Sequence, residues 1–237
     1  MKALKIALLG AAASLALSGA AFAQDDSSGV EVSFNAGAAT DYVFRGISQT
    51  DENPQFFGGA DLTTGIFYAG VWASNVDFGD DTDAEVDLYA GVKPTVGAVS
   101  LDLGAIYYGY VNEPGGADWA YWEFKAAASI PAGPATIGGA IFYSPDYTGA
   151  GTDEGIYYEI NGAVPLMDKL TLSGAFGHQD VEICCGLGDA NYNTWNVGVG
   201  YAIDEHVGFD LRYWDTDEDF LGDLGEERVV LGMKITL

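Results

Sequence analysis

Apolar and polar residues alternate along most of this chain, most cleanly in its last ten residues. Val229, Leu231, Met233, Ile235 and Leu237 fall on one face of an extended strand. Arg228, Gly232, Lys234 and Thr236 fall on the other, with Val230 the one apolar residue among them. A period of two with an unbroken apolar face specifies a strand with one greasy side and one wet side.

The pattern repeats upstream. It predicts about 12 strands, near 30–45, 54–63, 66–76, 83–93, 98–110, 118–130, 135–144, 154–164, 170–179, 192–203, 206–215 and 228–237. In the fourth, Ala84, Val86, Leu88, Ala90 and Val92 oppose Asp83, Glu85, Asp87, Tyr89 and Lys93. In the sixth, Trp122, Phe124, Ala126, Ala128 and Ile130 oppose Tyr121, Glu123, Lys125 and Ser129. The third is ambiguous, since either face reads as apolar.

The connections alternate in length. Short turns fall at Thr64-Gly65, Pro94 to Gly97, Pro131 to Pro134, Pro165 to Lys169 and Asp204-Glu205. Long links fall at Gly46 to Asn53, Asp77 to Thr82, Val111 to Ala117, Pro145 to Asp153, Asp180 to Asn191 and Thr216 to Glu227. Short periplasmic turns, long acidic extracellular loops and an even strand count are the layout of a bacterial outer-membrane barrel. Such barrels also finish on a strand like the last one here. The expected fold is therefore all-β, a transmembrane antiparallel up-and-down β-barrel.

The N-terminus reads as an export signal. Lys2 and Lys5 precede an apolar run from Ile6 to Leu17, and Ala21-Phe22-Ala23 is an A-x-A cleavage site. Residues 1–23 are expected to be removed and 24–237 to form the barrel. The apolar run is shorter than the ~20 residues of a spanning helix. A cleaved signal implies export, and with the strand pattern it places the mature chain in the bacterial cell outer membrane.

The chain carries 35 Asp plus Glu against 9 Lys plus Arg, a balance that excludes nucleic acid as a partner. Of the acids, 21 lie in or beside the long links, three in short turns, nine on inward strand faces and two at Asp25 and Asp26. That leaves none for an outward face, where a charge at mid-bilayer is costly. Tyr42, Phe44, Tyr107, Trp122, Tyr143, Tyr158, Trp195 and Tyr213 are outward by parity near the long-loop ends, as an interfacial aromatic belt would be.

The block Asp41-Tyr-Val-Phe-Arg-Gly-Ile-Ser-Gln-Thr50, with Gly58-Gly59-Ala60-Asp61 and Gly65 to Val76, resembles the TorF-type porin family of bacterial outer membranes. The resemblance runs from about Ser33 to the C-terminus, its distinctive motifs lying in the first three strands. It implies an outer-membrane barrel with a pore role and brings no catalytic or ligand motif. Many outer-membrane barrels end on Phe or Trp; Leu237 keeps the apolar parity in their place.

By parity the lumen is lined by Asp41, Arg45, Asp61, Glu85, Asp87, Lys93, Asp102, Glu123, Lys125, Glu159, Asp210, Arg212, Arg228 and Lys234, with Glu31 near one end. An excess of carboxylates in a wet pore favours cations. Twelve strands stand between a barrel filled by side chains and one with a clear channel. The main expectation is passive diffusion of small hydrophilic solutes, cations preferred. The alternative is a non-conducting barrel that binds or supports through its acidic loops, its lumen plugged by Tyr108, Tyr110, Tyr121, Tyr157 and Trp214. A soluble periplasmic barrel would instead put the apolar face inside, leaving the nine inward acids outside. Expected partners are outer-membrane lipid, lipopolysaccharide, and small solutes or cations.

Smaller motifs add little chemistry. Asp215, Asp217, Asp219 and Glu226 match positions 1, 3, 5 and 12 of a calcium loop, but Phe220 replaces the required Gly, so a solvated acidic loop is expected. Asp77, Asp80, Asp81 and Asp83 read alike. Cys184 and Cys185 form a vicinal disulfide in an oxidising compartment or stay reduced. His178 and His206 belong to opposite ends of the barrel. Ser144 shares an end with His178, but no orienting carboxylate marks a hydrolase relay. No catalytic activity, metal or cofactor is expected.

Overall fold

The computed structural model describes residues 29–115, 119–147, 152–183, 188, 189, 191–218 and 221–237. The expected signal segment and Cys184-Cys185 lie outside these. Twelve long strands run in sequence: β1 (Glu31–Ala39), β2 (Gln55–Thr64), β3 (Phe67–Asn75), β4 (Ala84–Val92), β5 (Val99–Val111), β6 (Tyr121–Ala132), β7 (Ala135–Ser144), β8 (Thr152–Met167), β9 (Leu170–Ile183), β10 (Tyr192–Ala202), β11 (Val207–Thr216) and β12 (Arg228–Thr236). Each pairs antiparallel with its neighbours in sequence. The ring closes where Ala36 of β1 lies opposite Ile235 of β12. Closure leaves no unpaired sheet edge, which is what a lipid-embedded sheet requires.

The alternation sorts as the physics of that setting demands. On β6, Trp122, Phe124 and Ile130 are exposed while Tyr121 and Glu123 are buried. The ambiguous third strand resolves with Phe67, Ala69 and Val71 outward and Tyr68, Trp72 and Ser74 inward. Tyr68 Oη donates to Asp102 and the Trp72 ring meets Tyr42, so polar reach fixes the face. Round the wall, Phe34, Phe56, Leu88, Ile141, Ile160, Phe176, Leu211 and Leu231 stand exposed, Ile160 at 68%. A contiguous apolar belt of this kind is intolerable in water and suits hydrocarbon.

One end carries tight turns. Gly65, Gly97 and Gly133 each occupy the first of two turn residues with φ of +57°, +63° and +68°. A positive φ at that position is the type II′ requirement, and glycine meets it without a Cβ penalty. Pro165 sits at a register shift between β8 and β9, where its missing N–H is harmless.

Several strand boundaries differ from expectation. β8, β9 and β11 run past the expected ends, to Thr152, Ile183 and Thr216. Asp180, expected in a link, and Glu154 and Asp215, expected at strand ends beside links, stand on the strands with outward parity at the long-loop rim, so the outward face does carry acids there. There Glu154 and Asp215 accept hydrogen bonds from the belt tyrosines Tyr143 (3.3 Å) and Tyr213 (2.8 Å). The first strand, expected to reach residue 45, ends at Ala39, because the chain turns into the lumen.

Candidate functional site

From Thr40 to Pro54 the chain leaves the wall. A hairpin of Val43–Phe44 against Ile47–Ser48 points inward, turning at Arg45-Gly46. Both turn residues have positive φ, +49° and +89°, as a type I′ hairpin needs. Gly46 is obligatory on space as well: a Cβ there would lie 2.3 Å from Thr216 Cγ2 and 2.5 Å from Thr194 Oγ1. Arg45 carries a left-handed backbone without glycine's freedom, a cost of about 1–2 kcal/mol that its side-chain contacts offset.

Those contacts form a cage. Arg45 Nη2 donates to Glu123 Oε2 on β6 and Nη1 to Gln179 Oε1 on β9, both at 2.8 Å. Its guanidinium carbon lies 4.3 Å from the Tyr157 ring centroid, 4.6 Å from Phe44, 5.1 Å from Phe142 and 5.9 Å from Tyr147. Arg45 is 2% exposed, Glu123 1% and Gln179 0%. A charge so enclosed is tolerable because it is both paired and hydrogen-bonded. Phe142 belongs to β7, six strands from β1 either way round the ring, so the hairpin spans the lumen.

The root of the hairpin is pinned likewise. Asp41 accepts from Ser48 Oγ and Thr50 Oγ1, each at 2.8 Å, and from Arg228 Nη1 on β12 at 2.9 Å. Tyr42 Oη donates to Glu85 at 2.5 Å, and its ring stands edge-on to Trp72 at 5.4 Å. Val43 packs with Ala39, Trp214 and Val230. Tyr42 and Phe44, expected in the outward belt, are therefore inside the barrel; parity was carried beyond the point where the strand ends. Phe44 meets Tyr108 edge-on at 5.9 Å. Tyr108, Tyr121, Tyr147, Tyr157 and Trp214 are buried around the hairpin, packing this level of the lumen.

Nearby carboxylates lack full complements. Among the described residues, Asp87 Oδ1 and Glu123 Oε1 are buried with no hydrogen-bond partner. Glu85 and Asp87 face inward side by side on β4.

Below the hairpin the lumen is polar, its charged side chains half-buried except Asp102 and Asp210, which are buried. Lys125 pairs with Asp102 at 2.6 Å, and Arg212 with Asp210 at 3.0 Å. Arg212 also donates to Asn196 and Ser173. Asp61 accepts from Tyr89 (2.5 Å) and Asn35 (3.3 Å); Glu159 from Asn161 (2.8 Å) and Tyr157 (3.0 Å). Lys93 lies over the Tyr68 ring at 4.5 Å, and Lys234 is half-buried on the adjoining wall. Ser100, Asp102, Ser129 and Asn161 border a recess here.

The sequence family model matches residues 23–232, and its description reads "Bacterial protein of unknown function (Gcw_chp)". The chain belongs to the Gcw_chp family. No curated protein is significantly similar to it in sequence. Among solved structures it is similar to the KdgM porin in complex with disordered oligogalacturonate, at a TM-score of 0.55 and 8% identity, covering 86% of this chain and 97% of that one. It is similar also to a loop L8 deletion mutant of OmpT, an outer membrane protein of Vibrio cholerae (TM-score 0.52, 12% identity, 88% and 99% covered). The NanC porin follows at 0.51, with 9% identity and 87% and 98% covered. At these identities the likeness is one of fold, an outer-membrane-type barrel.

The remaining candidates stay apart. Ser144 is fully buried and accepts from the Asp146 amide, whereas His178 has outward parity, with Nδ1 2.9 Å from Asn193 Oδ1. The two stand on opposite faces of the wall, so no relay joins them. Asp217 is taken up by Asn193, and Asp219 lies outside the described residues. Among the described residues no three His, Cys, Asp or Glu converge on a metal position. Gln179, Tyr147 and Phe142 carry no mark of a site in the sequence, and Tyr42 is misplaced by it. Inward parity places Gln179 and Phe142 on the lumen face, but the hydrogen bond of the first and the ring contact of the second with Arg45 have no local signature.

Proposed function

We propose that the protein is a porin-like channel of the bacterial outer membrane, akin to the TorF-type porins, in which the Arg45 hairpin forms the constriction. Its solutes are small and hydrophilic, with cations preferred, and its chemistry is non-enzymatic. The carrying observation is the polar lumen below the hairpin, where eight charged side chains from Asp61 to Lys234, six half-buried and Asp102 and Asp210 buried, face the interior of a wall that is apolar outside. These eight are four carboxylates and four cations; the carboxylate excess lies at the hairpin level, where Asp41, Glu85, Asp87 and Glu123 face Arg45 and Arg228 and raise local cation concentration. Mature protein begins at Gln24, which intact mass of the exported chain tests. The acidic rim faces lipopolysaccharide.

Burial of Arg45, Glu123 and Gln179 favours a second reading, a barrel that does not conduct. Planar-bilayer recordings of the mature chain and of a variant with residues 41–50 replaced by a short Gly-Ser turn separate the two. The channel reading expects small or rare steps from the first, larger discrete steps from the second, and a cation-selective reversal potential across a KCl gradient. Silence from both inserted barrels moves the assignment to a binding or structural role.

A further inference from the structure

We infer that the cage around Arg45 is a binding site for organic cations of the guanidinium class, occupied in this state by the chain's own side chain. The cage is built by the wall and not by the hairpin. Glu123 comes from β6, Phe142 from β7, Tyr157 from β8 and Gln179 from β9, with Tyr147 in the link after β7. Strand pairing holds four of these in place whether or not the hairpin is docked. The hairpin presents Arg45 from the tip of a tight turn, as a tethered ligand.

The chemistry selects a flat, weakly hydrated cation. Ring faces cover several sides, and two oxygens at 2.8 Å accept from different guanidinium nitrogens. Arg-type cations make such stacked, forked contacts; a compact, strongly hydrated ammonium or metal ion gives up more hydration than ring faces return. Glu123 Oε1, buried and unpartnered among the described residues, leaves an acceptor for a further N–H. Its meaning for transport rests on the channel reading above: a cationic solute that takes the place of Arg45 releases the hairpin, so solute and constriction compete for one site.

The test is calorimetric titration of refolded protein in detergent with ethylguanidinium chloride, whose size matches the atoms removed by Arg45→Ala. The Arg45→Ala variant binds one ethylguanidinium saturably. Wild type binds at least about tenfold more weakly, because its tethered competitor must leave. Adding Glu123→Gln weakens binding by about tenfold or more. Ethylammonium at equal ionic strength binds less. Equal heats in wild type and variant, indifference to Glu123→Gln, or preference for ethylammonium overturns the assignment.

Wild-type protein supplies a second readout should Arg45→Ala not fold. Ethylguanidinium then speeds hydrogen exchange of amides 41–50 saturably and ethylammonium does not; no acceleration overturns the site. A barrel that binds ethylguanidinium yet never conducts keeps this site and loses the channel. A conducting barrel that ignores ethylguanidinium does the reverse.

Discussion

Arg45 Nη1 lies 2.8 Å from Gln179 Oε1, a bond across the lumen between residues 134 apart in sequence. It joins the tip of the first long link to the strand that leads into the fifth. Together with the Glu123 pair it makes the hairpin part of the barrel's interior and not a loop lying over its mouth.

Removing one member of the buried pair should cost more than removing both. Glu123→Ala leaves the guanidinium enclosed without its counter-charge, and a loss of about 3–5 kcal/mol is expected in urea unfolding from vesicles. Arg45→Met with Glu123→Leu should lose less than Glu123→Leu alone. Additive losses would show that the two residues do not couple.

Gly46 tests the hairpin's fit. Gly46→Val places a branched side chain at a φ of +89° and against Thr194 and Thr216. The hairpin should undock, raising hydrogen exchange over 41–50 and single-channel conductance together. Unchanged exchange would mean the tip has room that the wall does not show.

The two halves of this arrangement were legible to different degrees. Strand parity is local, so Glu123, Asp102 and Lys125 could be placed inward, and Trp122 and Tyr158 outward, from neighbours two residues away. The departure at Thr40 was illegible because the hairpin itself alternates: Asp41, Val43 and Arg45 continue the beat of β1 after its pairing with β12 has ended. Arg-Gly is also a weak turn signal beside Asn-Gly or Asp-Gly. What holds Arg45 in a left-handed conformation is its partners on β6 to β9, and no window of sequence contains them.

Selectivity should follow pairing. Asp102 and Asp210 are neutralised by Lys125 and Arg212, whereas Asp61 and Glu159 accept from neutral groups. Asp61→Asn and Glu159→Gln should each lower the K⁺ over Cl⁻ preference read from reversal potentials. Asp102→Asn should lower it further by freeing a cation. If Asp61→Asn and Glu159→Gln leave the potential unchanged, those carboxylates do not border the ion path.

The last long link is tied to β10 by a carboxylate. Burial raises the Asp217 pKa, but hydrogen bonds from the Asn193 side chain and backbone outweigh it and hold the carboxyl below its usual 3.8. A depressed pKa contributes stability that is present above the ordinary carboxylate value and lost as pH falls through the lowered one. Proteolysis within 217–227 should rise below pH 3.8, and Asn193→Ala should move that rise to higher pH. A pH-independent cleavage rate would show that this bond does not hold the link.

The apolar belt makes the sharpest claim about where the protein resides. Ile160 lies mid-strand on β8, opposite Gly139 and 68% exposed, while Asn161 beside it turns inward and donates to Glu159. Ile160→Arg puts a charge into hydrocarbon and should cost about 2–4 kcal/mol in folding into lipid vesicles. Asn161→Arg, one residue on, stays in the polar lumen beside a carboxylate and should cost much less. In a barrel dissolved in water the order reverses, since an exposed Ile→Arg change is harmless there and a buried one is not. Equal penalties at the two positions would mean that the wall does not separate lipid from lumen at this depth.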